Sequence, residues 1–489
     1  MTVAAGPEGL FEIEPGEARA TRSAAPAAAA KTFRGYDQSQ SFLLPPSLDD
    51  WLDEDDEARF ISEVVEDILD LSPVYASYAS ASGAPPYDPR MMLKLLLFAY
   101  ATGVTSSREL ERRCKRDIAF RWLSGNQAPD YRSLARFRRR HLDALPGLFL
   151  QVLRVCAQAG LVRLGRVALD GTKLAANASR HKAMSYERIV PKIEQLQAEV
   201  DALLAEAEAV DAAEDQQFGE DRRGDEIAPE LARREGRLAK LRAAKDAIEA
   251  ETAEKAAAAA RKKAEAAGQP AEQADAAVAA AVDRAAPKPK AQRNFTDPEA
   301  RMMKTNRGFD YAFNAQAVVD EAHQIVLTAE VTQQATDVQQ FVPMTVQTMQ
   351  NLDAAGIDRA PGAVLADAGY CSEANLEAAE TLDAQVLIAT GRQRHGEQFP
   401  TTGVAEPAPE GASRREKMAH ALRTEQGRAG YVRRKAIVEP AFGQMKTRQN
   451  AGQLRLRGLA GAQGEWLLHT ICHNLRKLRG ATDAGLAPA

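Results

Sequence analysis

Two short apolar runs, each leading to an aspartate, constrain this chain most: Gly165–Lys173 (GRVALDGTK) and Gly362–Asp367 (GAVLAD). Runs of this length bounded by turn residues read as buried strands. Ala384–Ala389 (AQVLIA) is another, and residues 310–332 predict two strands joined by the turn Asp320–His323. Helices are expected over 337–350, 372–382 and 431–448. That order describes a mixed sheet, with a hairpin on one side and parallel strands on the other. If the first strand and the 362–367 strand lie side by side and parallel, Asp170 and Asp367 meet at their C-terminal edge, where open α/β sheets commonly bind ligands. Two carboxylates held close repel each other, and a divalent cation with a preference for oxygen ligands relieves the repulsion. One aspartate at a strand end is ordinarily a turn or cap residue, so the pair carries the weight. Asp310, Asp320 and Asp337 read as strand-edge, hairpin-turn and helix-cap residues. His181 and the adjacent Cys472 and His473 have no matching ligand set. The four cysteines form neither a disulfide framework nor a zinc pattern.

Charge is segregated along the chain. Gly103–His141 holds eleven Lys/Arg against four Asp/Glu, and Ala421–Gly480 twelve against three. Pro191–Glu230 holds three against thirteen. Two basic blocks of this size suit a polyanion, with solvated helix faces as the plainer reading. Residues 34–158 show helical apolar spacing. Within them Ser106–Cys114 and Asp117–Leu123 suggest a helix-turn-helix-like pair, followed by a basic helix over Arg132–Arg140. The residues from about 185 to 290 form a long Ala/Glu-rich helical insertion. Ile193, Leu196, Val200 and Leu203 follow coiled-coil spacing, partly repeated by Leu231, Leu238, Leu241 and Ile248. Gly219, Gly224 and Pro229 break the pattern, which predicts an antiparallel helical hairpin. No apolar run reaches the roughly 18–20 residues of a membrane span. With no secretion signal read at the N-terminus, a cytoplasmic protein is expected, nucleoid-associated when bound to DNA.

Asp170-Gly-Thr-Lys-Leu-Ala-Ala-Asn-Ala-Ser179 resembles the first-aspartate motif of bacterial insertion-sequence DDE transposases. Gly308–Asp320 (GFDYAFNAQAVVD) is similar to their following strand, and Val364-Leu-Ala-Asp367-Ala-Gly-Tyr370 to their second-aspartate motif. Tyr431–Lys446 resembles their third-carboxylate helix. Tyr431 to Arg434 and Glu439 to Lys446 keep the family spacing, but the two halves are offset by one residue, so either Arg434 or Lys435 takes the arginine's role. Tyr87-Asp-Pro-Arg90 and Pro129–Arg138 resemble the N-terminal helical domain of one subgroup, which also carries a coiled insertion after the first aspartate.

The resemblance spans about residues 34–479. It implies an α/β catalytic domain with a ribonuclease-H-like mixed sheet and flanking helices (159–184 and 291–479), and an all-α N-terminal DNA-binding domain (34–158). It also implies a coiled-coil-like insertion (185–290); outside it, the Ala-rich, aperiodic composition of 1–33 and 480–489 reads as disordered tails. Asp170, Asp367 and Glu439 are the implied catalytic residues and ligands of two Mg²⁺ ions, with Mn²⁺ able to substitute. Tyr431, Arg433, Arg434, Lys435 and Lys446 are candidate DNA contacts, as are Arg112, Arg113, Arg136, Arg138 and Arg139 of the first basic block. The implied partners are terminal inverted repeats and target DNA, and the DNA complex is expected to hold a homodimer. Two other readings stay open: a catalytically silent, transposase-derived DNA-binding protein, or a nuclease without strand transfer.

Overall fold

A computed structural model of the chain describes residues 47–78, 85–218, 229–305, 308–391 and 408–485. Helices come first: α1 (Glu57–Glu63), α2 (Ser72–Ala76), α3 (Pro89–Ala101), α4 (Ser107–Arg116), α5 (Ile118–Leu123), α6 (Tyr131–Arg140) and α7 (Leu145–Gln158). Then follow β1 (Arg166–Ala175), β2 (Ala183–Ser185), α8 (Tyr186–Phe218), α9 (Pro229–Ala266), α10 (Ala271–Asp283), β3 (Gln292–Asn294), β4 (Arg301–Thr305), β5 (Gly308–Asp320) and β6 (Val326–Thr332). The chain continues with α11 (Phe341–Ala354), β7 (Ala363–Ala366), α12 (Glu373–Glu380), β8 (Gln385–Ile388), α13 (Arg414–Ala421), α14 (Glu425–Arg448) and α15 (Leu459–Asp483).

Local chemistry sets several helix ends. Asp88 caps α3 by accepting from the Arg90 amide at 2.7 Å, and Pro89 occupies the first turn, where no N–H is needed. Asp130 caps α6 in the same way. Asp117 both ends α4 and caps α5. A single residue therefore separates these helices, instead of the turn of about three or four residues in a helix-turn-helix.

Six strands form one sheet in the order β4-β5-β1-β7-β8, with β6 also paired to β5. β5 runs antiparallel to β1, β4 and β6, whereas β7 is parallel to both β1 and β8. This is the expected mixed sheet. Val167, Ala168 and Leu169 of β1 are all buried, as is β5 from Tyr311 to Asp320, so the central strands are covered on both faces.

The largest departure from expectation is α15. It runs to Asp483, inside the expected C-terminal tail, and nearly every residue from Gly461 to Leu475 is buried. It packs against α3 and α7 and against β5 and β6. Trp466 Nε1 donates to the Gln316 carbonyl at 3.0 Å, and the Asn474 amide exchanges two hydrogen bonds with the Val326 backbone. One apolar core thus extends from Leu52 to Ala481. A buried polar cluster links its parts: Tyr100 donates to Glu465 at 3.0 Å and accepts from Arg138 Nη1 at 2.7 Å. Arg138 also donates to the Thr105 carbonyl. Arg138, expected at a DNA surface, is instead a buried cation spent on these internal partners. The expected tail 1–33 lies outside the described residues. Among the described residues no helix is long and apolar enough to cross a membrane.

The insertion leaves the sheet through a two-stranded neck, β2 against β3. α8 and α9 run antiparallel and close a separate small core of Ile189, Leu196, Val200, Leu238, Leu241, Ala244 and Ile248. Glu199 pairs with Arg234 at 2.9 Å, and Tyr186 donates to Glu249 at 2.6 Å. At the base, Glu251 pairs with Arg293 and Arg301. α10, packed on α9, adds a helix to the expected hairpin. Leu231 and the glycines at 219 and 224 fall where side chains are not described. Because this arm has its own core, replacing about 190–285 by a short Gly/Ser linker should leave a cooperative thermal transition with little change in midpoint. Loss of that transition would make the arm part of the main core.

Candidate active site

Leu169 of β1 and Ala366 of β7 are register partners, so the next residues, Asp170 and Asp367, stand side by side where the parallel pairing stops. β7 ends there, whereas β1 runs on to Ala175 paired with β5, beyond the expected strand end. Asp170 Oδ1 accepts from the Gly171 amide and Oδ2 from Arg434 Nη1, both at 2.8 Å. Asp367 Oδ1 accepts from the Gly369 amide at 2.8 Å and caps the turn Ala368–Tyr370. Burial pushes the Asp170 carboxyl up to about 6; Arg434 opposes this and Asp367 reinforces it.

The helix α14 supplies the opposing charge. Thr424 caps it by accepting from the Gly427 amide at 3.0 Å, and Gly430 admits Leu387 of β8 to close contact. Arg434 is buried, with its Nε lacking a hydrogen-bond partner among the described residues. Tyr431 lies beside Arg434, and burial raises its hydroxyl. Lys446 donates to Thr172 Oγ1, two residues beyond Asp170, and burial lowers its ammonium against the pull of Asp170. Between the two candidates for the arginine's place, Arg434 sits at Asp170, whereas Lys435 is exposed. Arg433 is exposed too and pairs with Glu321 at 2.8 Å.

Glu439 is exposed on the same helix, seven residues before Lys446 and therefore nearly in line with the side chain that meets Thr172. Among the described residues no three His, Cys, Asp or Glu side chains form a group that could hold a metal. The next residue is Pro440, whose missing N–H leaves the Ala436 carbonyl without its helical donor; Gln324 Nε2 donates to it at 3.2 Å. The structure thus joins Asp170, Asp367, Tyr431, Arg434 and Lys446, with Glu439 exposed about two turns before Lys446 on the same helix.

It also brings in a residue that sequence reading assigned to a helix cap. Asp337 caps nothing with its side chain, which accepts instead from Lys173, Asn314 and Gln316. The signal was present in FNAQAVV: two polar residues alternating on one face of a buried strand require a polar partner.

Of the N-terminal candidates, Arg112, Arg113, Arg136 and Arg139 are exposed on α4 and α6. Arg112 and Arg113 both pair with Glu109, and Arg113 also with Asp117.

Two family models match the chain. Residues 46–140 match a transposase domain (DUF772), and residues 282–475 match a transposase DDE domain. The chain belongs to the insertion-sequence DDE transposases. No curated protein and no solved structure is significantly similar to it. DDE domains have a ribonuclease-H-like fold and generally use divalent metal ions. The adjacent Asp170 and Asp367, paired hard carboxylate oxygens, suit such ions.

The raised Asp170 gives a pH signature. The folded chain keeps a proton that the unfolded chain has released, so the stability it contributes is present below about pH 4 and lost as pH rises through about 6. Asp170→Asn escapes that loss. In chelator, its unfolding temperature should exceed wild type's at about pH 7 by more than at about pH 4; a pH-independent difference would contradict the assignment.

Proposed function

We propose that this chain binds the terminal inverted repeats of a mobile element, cuts the element's ends and joins the freed 3′-OH to target DNA. The observation that carries this reading is Asp170 beside Asp367 on paired parallel strands, with Arg434 on Asp170 and Lys446 on Thr172. Asp170 and Asp367 would hold Mg²⁺, with Glu439 as the third ligand once α14 is engaged by DNA. When bound, such ions supply charge neutralisation to the phosphodiester and help activate the attacking oxygen. Arg434 and Lys446 offer cations at the same edge, where a scissile phosphate would draw Arg434 from Asp170 by charge-assisted hydrogen bonding. Tyr431, packed beside Arg434, restricts the guanidinium to that edge. Positioning and electrostatics of this kind carry most of the catalysis in phosphoryl transfer. Exposed Arg112, Arg113, Arg136 and Arg139 on α4 and α6 offer phosphate contacts for end binding, and two ends to be joined favour a homodimer in the DNA complex.

One observation favours a rival, a DNA-binding protein that does not cut: among the described residues no three His, Cys, Asp or Glu side chains stand close enough to share a metal. Purified full-length protein with the element's own end sequences decides between them. Mg²⁺-dependent nicking at the ends is expected, with Asp170→Asn abolishing it while retaining end binding. End binding without nicking would establish the rival. A pre-cut 3′-OH end with a supercoiled target separates strand transfer from simple cleavage. Replacing Arg112, Arg136 and Arg139 together should weaken end binding and flatten its salt dependence by up to about 0.9 per lost phosphate contact; unchanged affinity would move recognition elsewhere.

A further inference from the structure

Asp337 stands at the N-cap position of the turn Val338–Gln340, yet its carboxylate turns away from that role. Its Oδ1 accepts from Asn314 Nδ2 and Gln316 Nε2, both at 2.7 Å, and from Lys173 Nζ at 3.1 Å. Asn314 and Gln316 are fully buried on β5, with Gln316 opposite Gly171 and Asn314 opposite Lys173. Gln316 Oε1 in turn accepts from the Tyr370 hydroxyl, and Tyr370 closes the turn that Asp367 opens. A continuous chain of hydrogen bonds therefore joins the strand just beyond Asp170 to the turn just beyond Asp367.

Two glycines make room for it. A Cβ on Gly171 would lie 2.2 Å from Gln316 Nε2 and 2.7 Å from Asp337 Oδ1. A Cβ on Gly369 would lie 2.9 Å from Asp367 Oδ1 and 3.5 Å from Asp337 Oδ2. Neither glycine has a positive φ, so the requirement is space and not backbone conformation. Strand alternation puts Gly171 and Lys173 on one face of β1, and Asp170 and Thr172 on the other, toward Arg434 and Lys446.

We propose that Asp337 is a positioning residue that fixes the placement of Asp170 and Asp367 relative to each other. Arg434 holds Asp170 from the α14 side, while Asp337 locks the backbone that carries both acids from the opposite side. The proposal rests on reading those two aspartates as the reacting acids.

The Gly171 and Gly369 amides donate to the Asp170 and Asp367 carboxylates, so their exchange with deuterium reports that placement without metal or DNA. In the metal-free full chain, Asp337→Ala should accelerate exchange in peptides covering 168–174 and 366–372, with the rest of the sheet unchanged. Gln316→Met, which cuts the link to Tyr370 but leaves Asp337, should do the same over 366–372, and it carries the test alone if Asp337→Ala does not fold. Unchanged exchange would overturn the proposal. So would acceleration spread evenly over the chain, which would make Asp337 a general stabiliser. In end cleavage, Asp337→Ala should lower kcat about 10–100-fold at unchanged KM for DNA, the usual scale for residues that orient metal-binding groups. Asp337→Asn, still an acceptor for Asn314 and Gln316, should recover most of the loss. Absence of cleavage by the wild type would sink the transposition reading, while the exchange result would still decide the role of Asp337.

Discussion

The parallel pairing of β1 with β7 forces two carboxylates of like charge to the same sheet edge, and the surrounding structure answers that repulsion. Asp170 is the more constrained acid, raised by burial and by its neighbour and held by the Arg434 guanidinium. Lys446 adds a cation along the same helix. On the other face of β1, Lys173 and Asp337 neutralise each other directly. In the isolated chain the Arg434 guanidinium is the group that satisfies Asp170.

The sheet was legible because its strands are short apolar runs with distinct ends, and because the two acids fall at homologous places in two of them. Most of the helical insertion was legible for a similar reason: Leu196, Val200, Leu238, Leu241 and Ile248 repeat at coiled-coil spacing and do form its core. α15 was not. A helix buried all round has no polar face to mark its period, and Glu465, His469, Thr470 and Asn474 interrupt the apolar pattern although all are buried. Their partners, among them Tyr100 and Val326, lie far away in sequence.

Local charge misled in one place and spacing informed in another. Arg138 sits in a run of basic residues, yet it is the member whose helical position points at Tyr100 and Glu465. The one-residue offset between Arg434 and Glu439 was visible in the sequence. Its effect is geometric, since one residue turns a helix by about 100°: Arg434 meets Asp170 from one side of α14, and Glu439 stands nearly in line with Lys446, which meets Thr172. Pro440, immediately after, deprives the Ala436 carbonyl of its usual donor, and Gln324 from the β5–β6 connection fills the gap.

The position of α15 bears on how such chains diverge. It is the last helix described, yet it lies against α3 and α7, which precede the sheet in sequence. Elements far apart in sequence are therefore neighbours: Cys472 Sγ donates to the Leu97 carbonyl, and a volume change on either helix is felt by the other. A recombination event that exchanged only the N-terminal helices between two relatives would bring a foreign surface against the resident α15. If α4 and α6 read the element's ends as proposed, changes of DNA specificity are expected on their exposed faces or together with α15, Leu459–Asp483.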